Sequence, residues 1–432
     1  MIWAKEETFS RDEIKRIQVE KLREVVKRVY ENVPFYRKKL LQAGIKPENI
    51  QSIEDVRLLP LTTKDDLRDN YPYGLFAVPM DEIVRVHASS GTTGKPTVVG
   101  YTAQDIESWT ELVARIVTCA GVTKSDVVQI AFGYGMFTGA FGLHYGVERV
   151  GATVVPASSG NTEKQLLFMR DFGTTVLVST PSYALYLAEV AQKMGIMKDL
   201  KVRLGLFGGE GCSEEVRKEL EKQWGMVATD NYGLSELIGP GVSGECHLKD
   251  GLHINEDHFL VEVLDPKTLE PVKEGENGEL VVTTLTKEGL PLLRYRTRDI
   301  ASVTYEKCAC GRTTARMSKV SGRTDDMLII RGVNVFPSQV ESVLLDTEGV
   351  TPHYQLVVTR RGALDNLEVK IEVTEEFSKS ADRKRWKSLK EDIERKLSVI
   401  LSLKAHVTLA APSTLERFQG KARRVVDLRE AI

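Results

Sequence analysis

The sequence predicts an α/β protein in two parts, a large N-terminal body and a small C-terminal α+β domain. Three observations carry this. A chain of 432 residues is too long for one ordinary core. From about 80 to 240, short β-rich apolar runs alternate with helical patterns, the mark of a sheet with crossover helices. Beyond 322–337 the pattern restarts as strand, helix, two alternating strands, helix and strand.

The elements follow in order. Ser10 with Glu13 forms a capping-box pattern, and Ile14, Ile17, Leu22, Val25, Val26 and Val29 recur at helical spacing. Pro34 stops that helix, because proline disfavours a helical residue before it. Buried strands are expected at 127–132, 175–179 and 202–207, and helices at 104–119, 164–170 and 182–193. After 250, strands at 258–264 and 278–286 separated by turn signals suggest an attached β-rich subdomain. The last part reads as strand 326–330, helix 339–345, strands 354–359 and 367–373, an amphipathic helix through Trp386, Leu389, Ile393, Leu397 and Ile400, and a strand near 405–409. The division is placed at 1–324 and 325–432.

Composition narrows the function classes. With 42% hydrophobic and 28% charged residues, the chain is of ordinary globular type. Its 59 basic and 61 acidic residues give a formal charge of −2, no reason to expect nucleic acid or an anionic membrane as partner. No apolar run reaches the roughly 18 residues of a membrane span. The start, MIWAKEETFSRDE, has no apolar signal core, and five cysteines argue against a disulfide framework, so the cytoplasm is expected. Gly-x-Ser-x-Gly, His-Glu-x-x-His and Gly-x-Gly-x-x-Gly after a strand are all missing, which leaves hydrolase, zinc-protease and dinucleotide readings unsupported.

The segment Ser89-Ser90-Gly91-Thr92-Thr93-Gly94-Lys95-Pro96 lies between two strand-like runs. Glycines admit close backbone N–H groups, hydroxyls donate, and lysine adds a mobile charge, so the loop suits a polyphosphate. It is not a Walker A loop, which requires glycine at 89 and Ser or Thr at 96. A second cluster comprises Cys246, His253, Cys308 and Cys310, a Cys₃His set suited to structural zinc, with His247 as competing fourth ligand. Cys119 and Cys212 read as ordinary structural thiols. The aromatics Tyr134, Phe137 and Phe141, interleaved with glycines, together with Ile238 and Pro240, suit a slot for a flat ring, although phenylalanines at a helix start are also common core residues.

Further motifs stand in a fixed order: Asp230-Asn-Tyr-Gly-Leu-Ser-Glu236, Tyr295-Arg-Thr-Arg-Asp299, Gly322-Arg-Thr-Asp325-Asp and Gly420-Lys421-Ala-Arg-Arg. With the 89–96 loop they resemble the signature motifs of the adenylate-forming superfamily of acyl-CoA synthetases, luciferases and adenylation domains. The stretches FGYGMFTGAFGLHYG, NYGLSELIGPGVSGEC and SGRTDDMLIIRGVNVFPSQVE resemble its phenylacetate–CoA ligase branch.

The resemblance implies roles that the residues taken singly would not, since a lone Tyr is usually packing and a lone Asp or Glu a surface charge. Ser89–Lys95 and Ser235 would hold phosphates. Tyr232 would stack on adenine beside Gly209, Glu210, Gly211, Asp230, Asn231 and Gly233. Asp299 and Arg323 would bind ribose, and Glu236 would hold Mg²⁺. Asp325 would be the hinge about which the C-terminal domain rotates, Lys421 the catalytic cation, and Arg331 and Gly332 neighbours of coenzyme A. The implied reaction is attack of an aryl carboxylate on ATP, giving an acyl-adenylate and pyrophosphate, then thioester formation with coenzyme A and release of AMP. The alternatives are an adenylyltransferase acting on a cofactor hydroxyl and an adenylation enzyme loading a carrier protein. A homodimer is also implied.

Overall fold

The computed structural model describes residues 1–88, 96–324, 328–330, 333–361, 364–401, 403–417 and 424–429. The loop 89–95, Asp325, Arg331, Gly332 and Lys421 therefore lie outside the described residues.

Local signals place the first elements as expected. Ser10 accepts from the Glu13 amide and caps the helix Arg11–Asn32, which buries Ile14, Leu22, Val25, Val26 and Val29 on one stripe. A new helix, Pro34–Gln42, starts with proline at its first turn, where a missing N–H costs nothing. Thr102 caps the longer helix Ala103–Ala120, whose almost wholly buried second half runs through the centre of the body.

The main sheet has nine strands. From one edge the order is Val303–Thr304, Arg316–Met317, Leu252–Ile254, Gly239–Glu245, Val227–Leu234, Leu204–Phe207, Val176–Ser179, Val127–Ile130 and Thr153–Val155. The five strands from Val227–Leu234 to Thr153–Val155 are parallel, with helices between them; the rest are antiparallel. A separate four-stranded sheet joins Phe259–Leu264, Gly278–Thr284, Tyr295–Ala301 and Gly322–Arg323. The β-rich region after 250 thus divides between two sheets rather than forming one subdomain. Strand 252–254 joins by a short antiparallel return from 239–245, and 303–304 and 316–317 form a second such pair that docks on 252–254 from about sixty residues further on.

Residues from Leu328 to Val425 form a core of their own, centred on Ile330, Leu356, Val369, Ile393 and Val407. Its sheet runs His406–Ala410, Leu364–Val373, Val350–Arg361 and Val425–Asp427. The last strand was not expected from the sequence. It is three residues long and pairs in parallel with Val350–Arg361.

Between the two parts the contacts are mostly polar. The Ser338 hydroxyl donates to the Ser321 carbonyl at 2.8 Å. Glu189, on the helix Pro181–Lys193, faces His353 Nε2 at 3.5 Å and Arg417 Nε at 3.6 Å. Leu345 adds an apolar contact to the core around Tyr183 and Phe207.

Candidate active site

The strand Leu204–Phe207 is fully buried and ends in Gly208-Gly209-Glu210-Gly211, at the carboxyl edge of the parallel strands, where α/β sheets leave a crevice. Gly209 holds φ +80°, a left-handed conformation that glycine adopts without penalty. The Glu210 carboxylate accepts from the Ser182 amide at 2.6 Å, a charge at the first turn of the helix Pro181–Lys193. Asn231 donates its side-chain N–H to the Phe207 carbonyl and ties the neighbouring strand to this turn. Asp230 is partly accessible, yet burial and then the Glu245 carboxylate push its carboxyl up to about 7.

The next residues of the strand Val227–Leu234 carry the second group. The Tyr232 hydroxyl donates to Asp299 Oδ2 at 2.7 Å, and Arg323 Nη1 donates to Asp299 Oδ1 at 2.8 Å. Asp299 and Arg323 are direct cross-strand partners, so their pairing follows from register. Gly233 is required for close approach: a Cβ there would lie 1.9 Å from the Gly239 carbonyl oxygen.

Glu236 sits in the turn that follows, 6% exposed. Its Oε1 accepts from the Thr97 hydroxyl at 3.2 Å and lies 3.7 Å from Lys64 Nζ. Ser235 and Thr138 hydroxyls are 3.0 Å apart. Lys64 and Thr97 were not singled out from the sequence. Thr63-Lys64-Asp65-Asp66 reads only as a helix start, which it is, and nothing local marks its reach to a residue in another sheet. Lys287 was missed too. It is 4% exposed, with Nζ 4.3 Å from the Tyr101 ring centre. Burial holds its ammonium down to about 8 against the pull of Asp105 and Glu236.

The expected acid slot is assembled in part. Tyr134 and Phe141 meet edge to face at 5.3 Å, and the Tyr134 hydroxyl pairs with His144 Nδ1 at 3.0 Å. Ile238 and Pro240 are buried, their carbonyls taken by the Tyr101 hydroxyl at 3.0 Å and Trp109 Nε1 at 2.7 Å. His87 joins the two sides, 5.7 Å from both the Phe141 and the Tyr101 rings. Phe137 does not join them and is 49% exposed. Phe141 lies just inside the helix Gly139–Val150 but remains partly accessible, so it is not a sealed core residue.

Cys246, His253, Cys308 and Cys310 converge, their ligand atoms all within 4.8 Å of one another. Cys246 and Cys308 sulfurs are 3.9 Å apart, and Cys310 Sγ is 3.4 Å from His253 Nε2. Zn–S bonds of about 2.3 Å in a tetrahedron put sulfurs about 3.8 Å apart, so the set fits that ion. His253 Nδ1 lies 3.2 Å from the Thr314 hydroxyl, an outer partner that aims Nε2 at the thiols. Burial, with Arg312 and Arg316, lowers His253 to about 3, leaving it neutral as a ligand must be. His253 rather than His247 completes the cluster. Cys119, read as an ordinary structural thiol, is buried against Cys246 and Cys308, where burial pushes it well up. Cys212 is buried elsewhere.

Among the described residues no helix is long and apolar enough to cross a membrane. The family model described as AMP-binding enzyme matches residues 6–286, and the one described as AMP-binding enzyme C-terminal domain matches residues 332–429. Phenylacetate-coenzyme A ligase of Thermus thermophilus is 50% identical, covering 98% of each chain. That of Escherichia coli is 47% identical over 99% of this chain and 97% of its own. Among solved structures, 2-hydroxyisobutyryl-CoA ligase in its postadenylation state with 2-HIB-AMP superposes with a TM-score of 0.93 at 29% identity, covering 99% of this chain and 92% of that one. The same ligase in its thioesterification state, over the same shares, gives 0.72. The chain belongs to the phenylacetate–CoA ligase family of AMP-binding, adenylate-forming enzymes.

Proposed function

We propose that the protein activates phenylacetate or a similar aryl acid with ATP and transfers the acyl group to coenzyme A. The carboxylate attacks the α-phosphorus, pyrophosphate leaves, and an acyl-adenylate forms; the coenzyme A thiol then displaces AMP. The observation that carries this reading is the run from Asp230 to Glu236 on one strand and its turn, which sets Tyr232 on the Asp299–Arg323 pair and Ser235, next to Glu236, on Thr138 at the start of the helix that carries Phe141.

Tyr232, partly buried with its hydroxyl held by Asp299, is assigned to stack on adenine, with Gly209–Gly211 just past the end of the neighbouring strand. Asp299, which accepts from Tyr232 and Arg323, is assigned to the ribose hydroxyls. Glu236, held by Thr97, offers hard oxygen atoms that would hold Mg²⁺, whose charge offsets crowded phosphate oxygens. Lys64 places a second cation at the same point. The loop 89–95 is assigned to the departing pyrophosphate and Lys421 to charge growing at the α-phosphate. Asp325 is assigned as pivot of the domain 325–432, and Arg331 and Gly332 as coenzyme A contacts. Structural zinc is assigned to Cys246, His253, Cys308 and Cys310 on the sulfur spacing and the neutral imidazole.

The test supplies phenylacetate, Mg-ATP and coenzyme A to the enzyme. The expected result is acid-dependent pyrophosphate release followed by thioester. Pyrophosphate release without thioester would transfer the chemistry to another acceptor, and release indifferent to every acid would end the reading. For zinc, about one equivalent by elemental analysis, lost in Cys308→Ser, is expected; zinc-free native protein would refute it.

A further inference from the structure

Lys287 stands in the loop that follows the strand Gly278–Thr284, and that loop is tied down on both sides of it. The Thr286 hydroxyl lies 2.7 Å from His258 Nδ1. The Glu288 and Gly289 amides donate to the two carboxylate oxygens of Asp105 at 2.7 and 2.8 Å, and the Gly289 carbonyl accepts from the Ala77 amide at 3.1 Å. Asp105 accepts from the Thr102 amide as well, at 3.0 Å, so this buried carboxylate is filled by three backbone N–H groups. The Lys287 ammonium is left buried with no hydrogen-bond partner among the described residues. It lies on the Tyr101 ring instead, 4.3 Å from the centre.

Tyr101 in turn holds part of the acid slot. Its ring is fully buried and stacks on Trp109, with centres 5.1 Å apart and planes 15° from parallel. The polar edges of these two rings take two carbonyls of one short segment: the Tyr101 hydroxyl donates to Ile238 at 3.0 Å, and Trp109 Nε1 donates to Pro240 at 2.7 Å. Between them Gly239 holds φ +102°, and a Cβ there would come 2.6 Å from the Trp109 ring. A cation is attracted to the π face of a ring, most strongly out of water. It also draws electron density from a phenol, which strengthens the O–H as a donor in a dry site. An ammonium buried without a partner costs the fold stability. Charges kept at such a cost concentrate at functional sites.

We propose that Lys287 is a positioning residue for acid binding: its ammonium fixes Tyr101, and Tyr101 fixes the Ile238 carbonyl and with it one wall of the slot. This rests on the aryl acid–CoA ligase reading and on Ile238 as a wall of the slot. Lys287 acts through the ring and takes no part in bond making.

The experiment measures KM for phenylacetate, KM for Mg-ATP and kcat from acid-dependent pyrophosphate release. A Michaelis constant is independent of the folded fraction, so a poorly folding variant still answers. Lys287→Met, similar in length and without the charge, raises KM for phenylacetate about tenfold, while KM for Mg-ATP and kcat stay within about twofold. That split marks lost binding of the acid alone, which a purely structural ammonium would not give. Tyr101→Phe removes the hydroxyl and raises the same constant by a similar factor. Because Lys287 acts through Tyr101, the double variant matches Tyr101→Phe alone. An unchanged KM for phenylacetate in Lys287→Met would overturn the proposal, and so would equal rises for both substrates. Factors that multiply in the double variant would overturn it too, since they would place the ammonium on the substrate rather than on the ring. A wild type that releases no pyrophosphate with any aryl acid would end the ligase reading and this proposal with it, a result unlike each of the others.

Discussion

Charge is handled in opposite ways inside the N-terminal body and at its seam with the C-terminal part. In the body, several ion pairs are taken almost wholly out of water and matched at short range: Arg115 with Asp257 at 2.8 Å, Arg294 with Glu262 at 2.9 Å, Arg312 with Glu7 at 2.5 Å. At the seam one carboxylate, Glu189, meets His353 and Arg417 at 3.5 and 3.6 Å, and its side chain is 28% exposed. Short buried pairs fix a geometry, because separating them strands a charge. Long, half-solvated pairs can part and be replaced by water at little cost. The body's pairs hold its site in place, and a seam of long pairs suits the domain rotation proposed above for Asp325.

Four substitutions test that contrast. Arg115→Met should have the largest effect, leaving Asp257 buried without its principal cation and costing about 3–5 kcal/mol in chemical denaturation; a loss below 1 kcal/mol would erase the distinction. Glu236→Gln removes a body charge assigned to chemistry, so acid-dependent pyrophosphate release should fall about 10²-fold or more while the melting temperature stays close to wild type. Lys287→Met should go the other way. Its ammonium is buried without a hydrogen-bond partner among the described residues, so an apolar side chain of similar length should stabilise the body by about 1–2 kcal/mol. Unchanged or lower stability would mean that the contact with Tyr101 outweighs the burial of charge. Glu189→Gln should have the smallest stability effect, about 1 kcal/mol, because the contacts to His353 and Arg417 that help depress its carboxyl are long and screened by solvent. It should nevertheless raise the rate of thioester formation relative to adenylation in single-turnover experiments; an unchanged ratio would leave the seam contact without a role.

The pH dependence of that contact has a definite sign. The hydrogen bond from His353 comes first among the causes that hold the Glu189 carboxyl down to about 2, with Lys193 and Arg417 adding to it. Burial keeps His353 below its ordinary range, so the neutral imidazole N–H is the donor. A depressed carboxyl contributes stability above its unfolded value of about 4.3 and loses it as pH falls through the folded one. The half-reaction ratio should therefore not vary between pH 6 and 8 on account of Glu189.

Legibility in the sequence followed distance along the chain. The capped helix at Ser10, the strand ending at Phe207 and the run from Asp230 to Glu236 were readable because their signals are local: a hydroxyl at a cap, an apolar run, a motif of fixed spacing. Contacts made by the fold alone were not. Lys64 reaches Glu236 from the helix Lys64–Asp69, and Thr97 reaches it from just before the strand Val98–Tyr101. The strands 252–254, 303–304 and 316–317 joined the main sheet although their composition only said strand. Phe137 shared its spacing with Phe141 yet ended on the surface. The Cys/His cluster was readable as chemistry but not as geometry. Its four residues declared themselves by type, whereas the choice of His253 over His247 came from the pairing of strand Leu252–Ile254 with Gly239–Glu245.

The crossing of Gly233 on Gly239 restricts how this pocket can diversify. With 1.9 Å between a hypothetical Cβ and the opposing carbonyl oxygen, position 233 accepts no side chain at all. The backbone between Ile238 and Pro240 is therefore pinned from one side by that contact and from the other by Tyr101 and Trp109. Descendants of this sequence that take a larger or smaller acid must then find the room in side chains such as Tyr134, Phe141, Ile238 and His87. Drift in the main chain is closed to them, and specificity evolves here by exchange of residues on a fixed frame.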